Sequence, residues 1–160
     1  MRTVSVFRLA LLGVGAMSLF SAVAAADGPF QFYSVTPCRI VDTRNQIGVT
    51  GGPALSHGAV RNFPIHNQCG VPGGPTGAKA AVLNVTIVGP SNFGHLTIWP
   101  FNTPVPLVST INFSAGEAAL ANGAIVPLTN DPSFNVSVSP AIGGGTGSVH
   151  LIIDVTGYFQ

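Results

Sequence analysis

The sequence predicts an all-β protein, a β-sandwich or jelly-roll-like domain of about nine short, mainly antiparallel strands with one disulfide. Its composition is the first observation: 46% of the 160 residues are hydrophobic and only 7% are charged, against about 25% charged residues in an average domain. The second is the content of 20 Gly and 13 Pro, which argues against long helices. The third is a period of two in short segments between turn residues, spaced roughly 8–15 residues apart.

The predicted strands are short, rich in β-branched or aromatic residues, and bounded mostly by Gly, Pro, Asn or Ser. They are, in order, residues 30–35, 38–44, 59–66, 79–89, 94–101, 106–114, 123–129, 133–140 and 147–159. The loops at residues 48–58, 70–77 and 143–147 are uncharged and rich in Gly or Pro, which is typical of tight connectors. Residues 115–124 have a helical composition, but they end in Asn122-Gly123, so a turn of helix or a loop at a sheet edge accounts for them.

Two of these segments alternate clearly. In residues 79–89, the alternate positions Ala81, Leu83, Val85 and Ile87 lie on one face, as expected for a well-buried strand. In residues 147–159 the inward positions are Val149, Leu151, Ile153 and Val155, and the opposite face carries His150, Ile152, Asp154 and Thr156.

Residues 1–26 are predicted to be a secretory signal peptide. Arg2 and Arg8 precede an apolar run at residues 9–23, which ends in small-x-small cleavage patterns. The alternative, a transmembrane anchor, needs about 20 apolar residues and a stop-transfer flank, whereas the shorter run here is followed by Asp27. Cleavage leaves residues 27–160 as a single extracellular domain with no transmembrane segment, secreted or held at the cell surface.

Export determines how the two cysteines are interpreted. Cys38 and Cys69 both lie in the exported part, where an even pair in one small domain most often forms a disulfide. A redox pair or half of a zinc site lacks the CxxC spacing and the His or Cys partners that such sites need.

Charge is scarce in the mature part of the chain. Its four basic and five acidic residues give a net charge of −1, so the domain has no broad attraction for nucleic acid or acidic lipid. The chain is also too apolar and too weakly charged to be disordered.

Three motifs follow one another along the chain: PxRxxDTR at Pro37 to Arg44, LNVT at Leu83 to Thr86 and DVxGY at Asp154 to Tyr158. They resemble the motifs of a bacterial secreted and cell-surface β-rich domain family whose function is largely unassigned. The order of the motifs covers nearly all of residues 32–159. The resemblance implies an extracellular module, found singly or in tandem and often beside cell-wall enzymes, and it supplies no catalytic residue.

Four charged residues in these motifs predict a structural polar network: Arg39, Asp42, Arg44 and Asp154. An arginine fork pairs well with a carboxylate, and we expect Arg44 to face Asp42 or Asp154. The alternative is a glycosidase-type pair formed by Asp42 and Asp154. We favour the structural interpretation because no sugar-stacking cleft is evident beside them.

Other catalytic or metal-binding patterns are not evident in the sequence. The four histidines at positions 57, 66, 95 and 150 form no HExxH motif, and there is no GxSxG elbow or phosphate loop. Asn130, Asp131 and Asn135, or Asp42 with Asn45, carry oxygen atoms suited to calcium, but such residues more often make turns. Sequons at Asn84, Asn112 and Asn135 are interpreted as strand residues. We therefore expect no catalytic residue, no metal and no cofactor.

Aromatic residues supply the remaining candidates. Trp99, Phe101 and Tyr158 are candidate ligand or interface aromatics. Trp99, next to Pro100 at the end of a strand, is either a sugar-stacking platform or a core or interface anchor. Phe30, Phe32 and Tyr33 belong to an extended N-terminal segment that is a candidate for donation to a neighbouring subunit.

These features predict a non-enzymatic extracellular structural or assembly protein, the subunit of a filament, sheath or surface layer, with itself as the main partner. Interface cores are depleted in charge, and free domains usually keep a net charge for solubility. The alternative function is a carbohydrate- or cell-wall-binding module. A hydrolase using Asp42 and Asp154 is the least favoured of the three hypotheses.

Overall fold

The computed structural model describes residues 28–160, and the predicted signal peptide lies outside this range. The described chain forms nine strands and one 3-10 turn, Gly143–Gly145. The strands are β1 Phe32–Asp42, β2 Leu55–Ser56, β3 Arg61–Phe63, β4 Ala80–Val88, β5 Gly94–Pro100, β6 Ile111–Phe113, β7 Leu120–Pro127, β8 Val136–Ile142 and β9 Ser148–Phe159. The predicted all-β class is confirmed.

The strands form two antiparallel sheets. The first has the order β1-β9-β4-β7, with β2 paired to the start of β9, and the second has the order β3-β8-β5-β6. The two sheets pack face to face around a single hydrophobic core, to which both contribute fully buried side chains such as Leu83, Ile153, Leu96 and Val138. This packing is that of a β-sandwich.

Strands β4 and β9 form the centre of the first sheet. Ala81, Leu83, Val85 and Ile87 of β4 are buried in unbroken alternation, and each pairs with β9 on one side and with β7 on the other. The inward set predicted for β9, from Val149 to Val155, is also buried. Beyond it a register shift inserts Thr156, so Tyr158 packs against the core and the alternation changes phase.

Three local predictions need correction. The segments at residues 30–35 and 38–44 form one strand, β1, which contains two register shifts against β9. Of the two alternatives for residues 115–124, the loop at a sheet edge fits residues 115–119, but residues 120–124 begin the edge strand β7. The loop at residues 48–58 contains the two-residue strand β2.

Candidate functional site

The four predicted network residues lie together where β1 meets β9. Arg39 and Asp154 are opposite each other across the two strands, and Arg39 Nε donates to Asp154 Oδ1 at 2.8 Å while Nη2 donates to Oδ2 at 3.2 Å. Arg39 Nη1 also donates to Asp42 Oδ2 at 3.3 Å. Arg44 donates to the same Asp42 carboxylate, so the order of the network is Arg44, Asp42, Arg39, Asp154.

The centre of the network is Asp42. Its side chain is only 6% exposed, whereas those of Arg39 and Arg44 are about half exposed. Hydrogen bonds from Arg44 lower the pKa of the Asp42 carboxyl from 3.8 to about 2. Hydrogen bonding to Asp154 raises the pKa of Arg39, and hydrogen bonding to Asp42 raises that of Arg44. Asp42 is therefore held as an anion, which suits it to anchor two arginines and makes it a poor general acid.

The turn after β1 fixes this arrangement. Thr43 is buried, and its hydroxyl accepts a hydrogen bond from the amide of Leu151 at 2.8 Å and lies 3.1 Å from His150 Nδ1. The amide of Arg44 donates to Asp42 Oδ1 at 3.1 Å, closing a short Asx-type turn. Thr43 thus ties the turn to β9, while Arg44 bonds back to Asp42.

Two depressions flank Arg39. One, of about 590 Å³, lies toward the loop after β1 and is lined by Asp42, Asn45, Gln46 and Thr50 among others. The other, of about 540 Å³, lies on the outer face of the first sheet and is lined by Asn84, Asp154 and Thr156 with Pro37 and Cys38. Both present polar groups that can donate and accept hydrogen bonds.

A disulfide joins Cys38 to Cys69, as predicted, with a Cα–Cα distance of 5.8 Å. It ties β1, directly beside Arg39, to the loop that precedes β4, across a sequence separation of 31 residues. Such a bridge is compatible with an oxidising compartment.

Trp99 is not a sugar-stacking platform. It lies within β5, is 4% exposed, and its indole Nε1 donates to the carbonyl of Thr103 at 3.2 Å. With so little of the residue exposed, almost none of the indole surface is open to a ligand. Of the two alternatives set out for Trp99, that of an anchor fits its burial.

The other candidate aromatics make pairs. Phe101 packs edge-on against Phe134, with ring centroids 5.6 Å apart, and Tyr158 stacks on Tyr33 at 5.2 Å. Phe32 contacts Phe159 at 5.4 Å. A Cβ at Gly157 would overlap the ring of Phe32 and would lie 2.8 Å from the backbone carbonyl oxygen of Tyr33, so glycine is required at this position of the closing motif.

The candidate strand-donating segment pairs with its own chain. Phe32 and Tyr33 face Phe159 and Tyr158 across β1 and β9, and Gln31 and Gln160 exchange two backbone hydrogen bonds. Phe30 is exposed just before this pairing begins. Donation to a neighbour would require this pairing to be exchanged between two copies.

Sequence reasoning missed two polar centres. Arg61, on β3, donates to the carbonyls of Gly48, Val49, Gly51 and Pro53 and lies over the ring of Phe63, so it holds the loop after β1 in place. Burial lowers the pKa of Arg61. The only signal of this role in the sequence was that Arg61 has no acidic residue near it in a chain with few charges.

The second missed centre is Asn135, which is 1% exposed. Its Oδ1 accepts from the amides of Ile65 and His66 at 2.7 Å each, and its Nδ2 donates to the carbonyls of Thr129 and Asp131 at 3.0 Å. His66 Nδ1 lies 3.1 Å from the same Nδ2. This side chain ties three segments together just before β8, so this sequon asparagine is not the strand residue that was expected.

Among residues 28–160, no group of three or more His, Cys, Asp or Glu side chains is arranged to hold a metal ion. None of the helical structure in that range is long and apolar enough to cross a membrane. A comparison with protein-family models gives no match for the chain, and a comparison with curated proteins gives none either.

Proposed function

We propose that the protein is a non-enzymatic extracellular structural protein that associates with copies of itself through uncharged β surfaces, as the subunit of a filament, sheath or surface layer. The observation that carries the proposal is a contrast at the surface. Seven of the eight charged side chains in residues 28–160 bond within the chain, whereas large apolar side chains are exposed.

The charged residues are nearly all satisfied internally. Residues 28–160 contain eight of them, and the network of Arg39, Asp42, Arg44 and Asp154 accounts for four. Two more side chains donate to backbone carbonyls, those of Arg61 and Lys79, and the Asp131 carboxylate accepts from two amides of its own turn. Little charge is left to keep separate molecules apart in solution.

The exposed apolar side chains occur on several elements. The loop after β5 exposes Val105, Leu107 and Val108, and Leu107 is fully exposed. Ile125 on β7 and Phe93 before β5 are each more than half exposed. Single exposed apolar residues are ordinary, but twelve large ones on a surface with so few free charges favour contact with other protein surfaces.

Export supports an extracellular site of action. The predicted signal peptide directs secretion, and a disulfide persists outside the cell. The resemblance to a bacterial secreted and cell-surface family points the same way, and it brings no catalytic residue with it.

The test is the assembly state of the oxidised mature domain, residues 27–160. Light scattering after size exclusion, over a wide range of concentration, should give masses that rise above that of a monomer, and negative-stain microscopy should show ordered assemblies. A monodisperse monomer at every concentration would overturn the proposal. Repeating the measurement after mild reduction separates assembly from accidental disulfide exchange.

The second candidate function is binding of carbohydrate or cell wall, and the depression on the outer face of the first sheet favours it. Asn84, Asp154 and Thr156 line it together with the half-exposed Arg39. Sedimentation with insoluble peptidoglycan should then be weakened by Asn84→Ala and unchanged by Asn112→Ala, which removes an exposed amide from β6. Equal binding by both variants would remove this site from consideration.

A further inference from the structure

One edge of the first sheet is open. Strand β7, Leu120–Pro127, pairs with β4 on one side, and among the described residues it has no strand on the other. We propose that this free side, the β7 edge, pairs antiparallel with the β7 edge of a second copy and joins the two first sheets into one. This inference rests on the proposed self-association. It identifies the contact through which two copies associate, the paired β7 edges, which we call the β7 joint.

The other sheet edges are protected in ways that natural proteins use against unwanted pairing. In the second sheet, the edge strands β3 and β6 have three residues each. In the first sheet, β1 carries Pro37, Arg39 and Asp42, has two register shifts, and is tied to a loop by the disulfide. Short length, proline, charge and irregular register all disfavour strand addition.

Strand β7 has no charge, no register shift and no proline before its last residue. Its sequence LANGAIVP contains no charged residue, its one proline is the last residue, and its register with β4 is continuous over all eight positions. Six of its eight residues are exposed, and Ile125 is 62% exposed. A regular, uncharged and exposed edge presents unpaired backbone groups that another strand can bind.

A groove beside β7 has room for the partner's side chains. It has a volume of about 410 Å³ and lies between β7, β5 and the loop after β5. Its lining is largely apolar and includes Ile98, Pro106, Val108, Ile125 and Val126. A strand added at the β7 edge would direct alternate side chains into this groove and cover them.

The partner strand that matches the β7 edge is the β7 strand of a second copy of this chain. The same uncharged edge is present in each copy, so neither strand brings a charge into the joint. Glu117 precedes β7, and Lys79 lies beside the other end of β7 on its β4 side, where its carbonyl accepts from the amide of Leu128. Antiparallel pairing brings Glu117 of one copy toward Lys79 of the other, whereas parallel pairing would bring like charges together.

Two-fold symmetry makes the proposal specific, because one residue of β7 must lie opposite its own counterpart. Directly paired residues in antiparallel strands have Cβ atoms about 4.5–5.5 Å apart, close enough for a disulfide after a small adjustment. Single cysteines placed in turn at positions 121 to 125 of the oxidised mature domain should reveal that residue. Gly123→Cys is well suited, since a Cβ there meets nothing within 4 Å.

Under mild oxidation we expect a covalent dimer that is strongest at one of the five positions and weaker at its sequence neighbours. Val60→Cys is the matched control, an exposed apolar residue outside the β7 edge. Mass spectrometry of the linked peptides should show the new bond together with the native Cys38–Cys69 bridge. Dimer formation no greater than in the control at all five positions would overturn the β7 joint.

A second variant pair tests the same joint without cysteine. Ile125→Lys places a charge at the β7 edge and should raise the dissociation constant of self-association at least tenfold, whereas Val60→Lys should leave it unchanged. If the wild type assembles and neither the cross-links nor Ile125→Lys respond, the joint is elsewhere and the proposed function stands. If the wild type remains a monomer, both proposals fail.

Discussion

Arg44 and Asp42 form a bidentate pair in which Arg44 Nε donates to Oδ1 at 2.8 Å and Nη2 donates to Oδ2 at 2.6 Å. Because Asp42 is buried and also accepts from Arg39, one carboxylate orients two half-exposed arginines. The stability that the network contributes therefore depends on Asp42 more than on either arginine.

Asp42→Asn is expected to lower the free energy of unfolding by about 2–3 kcal/mol, since it removes the buried charge from several charge-assisted hydrogen bonds. Urea denaturation of the oxidised domain measures the change. Asp131→Asn is the control, because its carboxylate accepts only from the amides of its own exposed turn, and it should cost less than about 1 kcal/mol. Equal losses in the two variants would contradict the assigned role of Asp42.

The same carboxylate predicts how stability depends on pH. The pKa of Asp42 is lowered from 3.8 to about 2 by its hydrogen bonds with Arg44, so its contribution is present above pH 3.8 and is lost as the pH falls toward 2. The loss should be on the order of 1–2 kcal/mol, less than the full shift implies because the arginines are half exposed. Denaturation midpoints of the wild type and of Asp42→Asn should converge across this pH range, and parallel curves would contradict the pKa shift.

The sequence was sufficient to predict the sandwich because its main strands are encoded locally. The alternation of β4 and β9 depends on one side chain in two being apolar, which requires no knowledge of the partner strand. The disulfide could also be predicted, since Cys38 and Cys69 are the only two cysteines. The four charged network residues could be grouped by their motifs, although the pairing of Arg39, and not Arg44, with Asp154 depends on the register of β1 against β9.

Features that depend on distant contacts could not be predicted in this way. Trp99 is buried and its indole N–H donates to the carbonyl of Thr103 in the chain after β5, a contact that the strand pattern does not reveal. The roles of Arg61 and Asn135 depend on carbonyls and amides of loops far away in the sequence. The residues at 115–124 have a helical composition, but pairing with β4 outweighs that weak preference and makes the end of this segment a strand.

Asn135 should be among the most sensitive polar positions in the domain. Asn135→Asp keeps an acceptor for the amides of Ile65 and His66 but places a carboxylate against the carbonyls of Thr129 and Asp131. A buried charge facing two acceptors should cost at least about 3 kcal/mol, and a domain that fails to fold meets this expectation. Asn112→Asp, at an exposed position of β6, should be nearly neutral, and similar losses in the two variants would contradict the role given to Asn135.

The disulfide should contribute substantially to stability. Replacing Cys38 and Cys69 together by serine removes a cross-link over a sequence separation of 31 residues, for which the chain-entropy model gives about 3.5–4 kcal/mol. The double variant avoids a single unpaired thiol. Guanidinium denaturation of the two proteins measures the difference, and a loss below about 1 kcal/mol would show that the bridge does not restrict the unfolded chain as expected.

Trp99 is the only tryptophan of the chain, so its fluorescence reports directly on the anchor role. Because the ring is 4% exposed and its N–H is bonded to Thr103, the folded domain should show a blue-shifted emission that iodide quenches poorly. Trp99→Phe should fold and lose about 1–2 kcal/mol, from one hydrogen bond and some packing. If soluble glycans quenched or shifted the emission of the wild type, the ring would be accessible to sugars and the anchor assignment would be wrong.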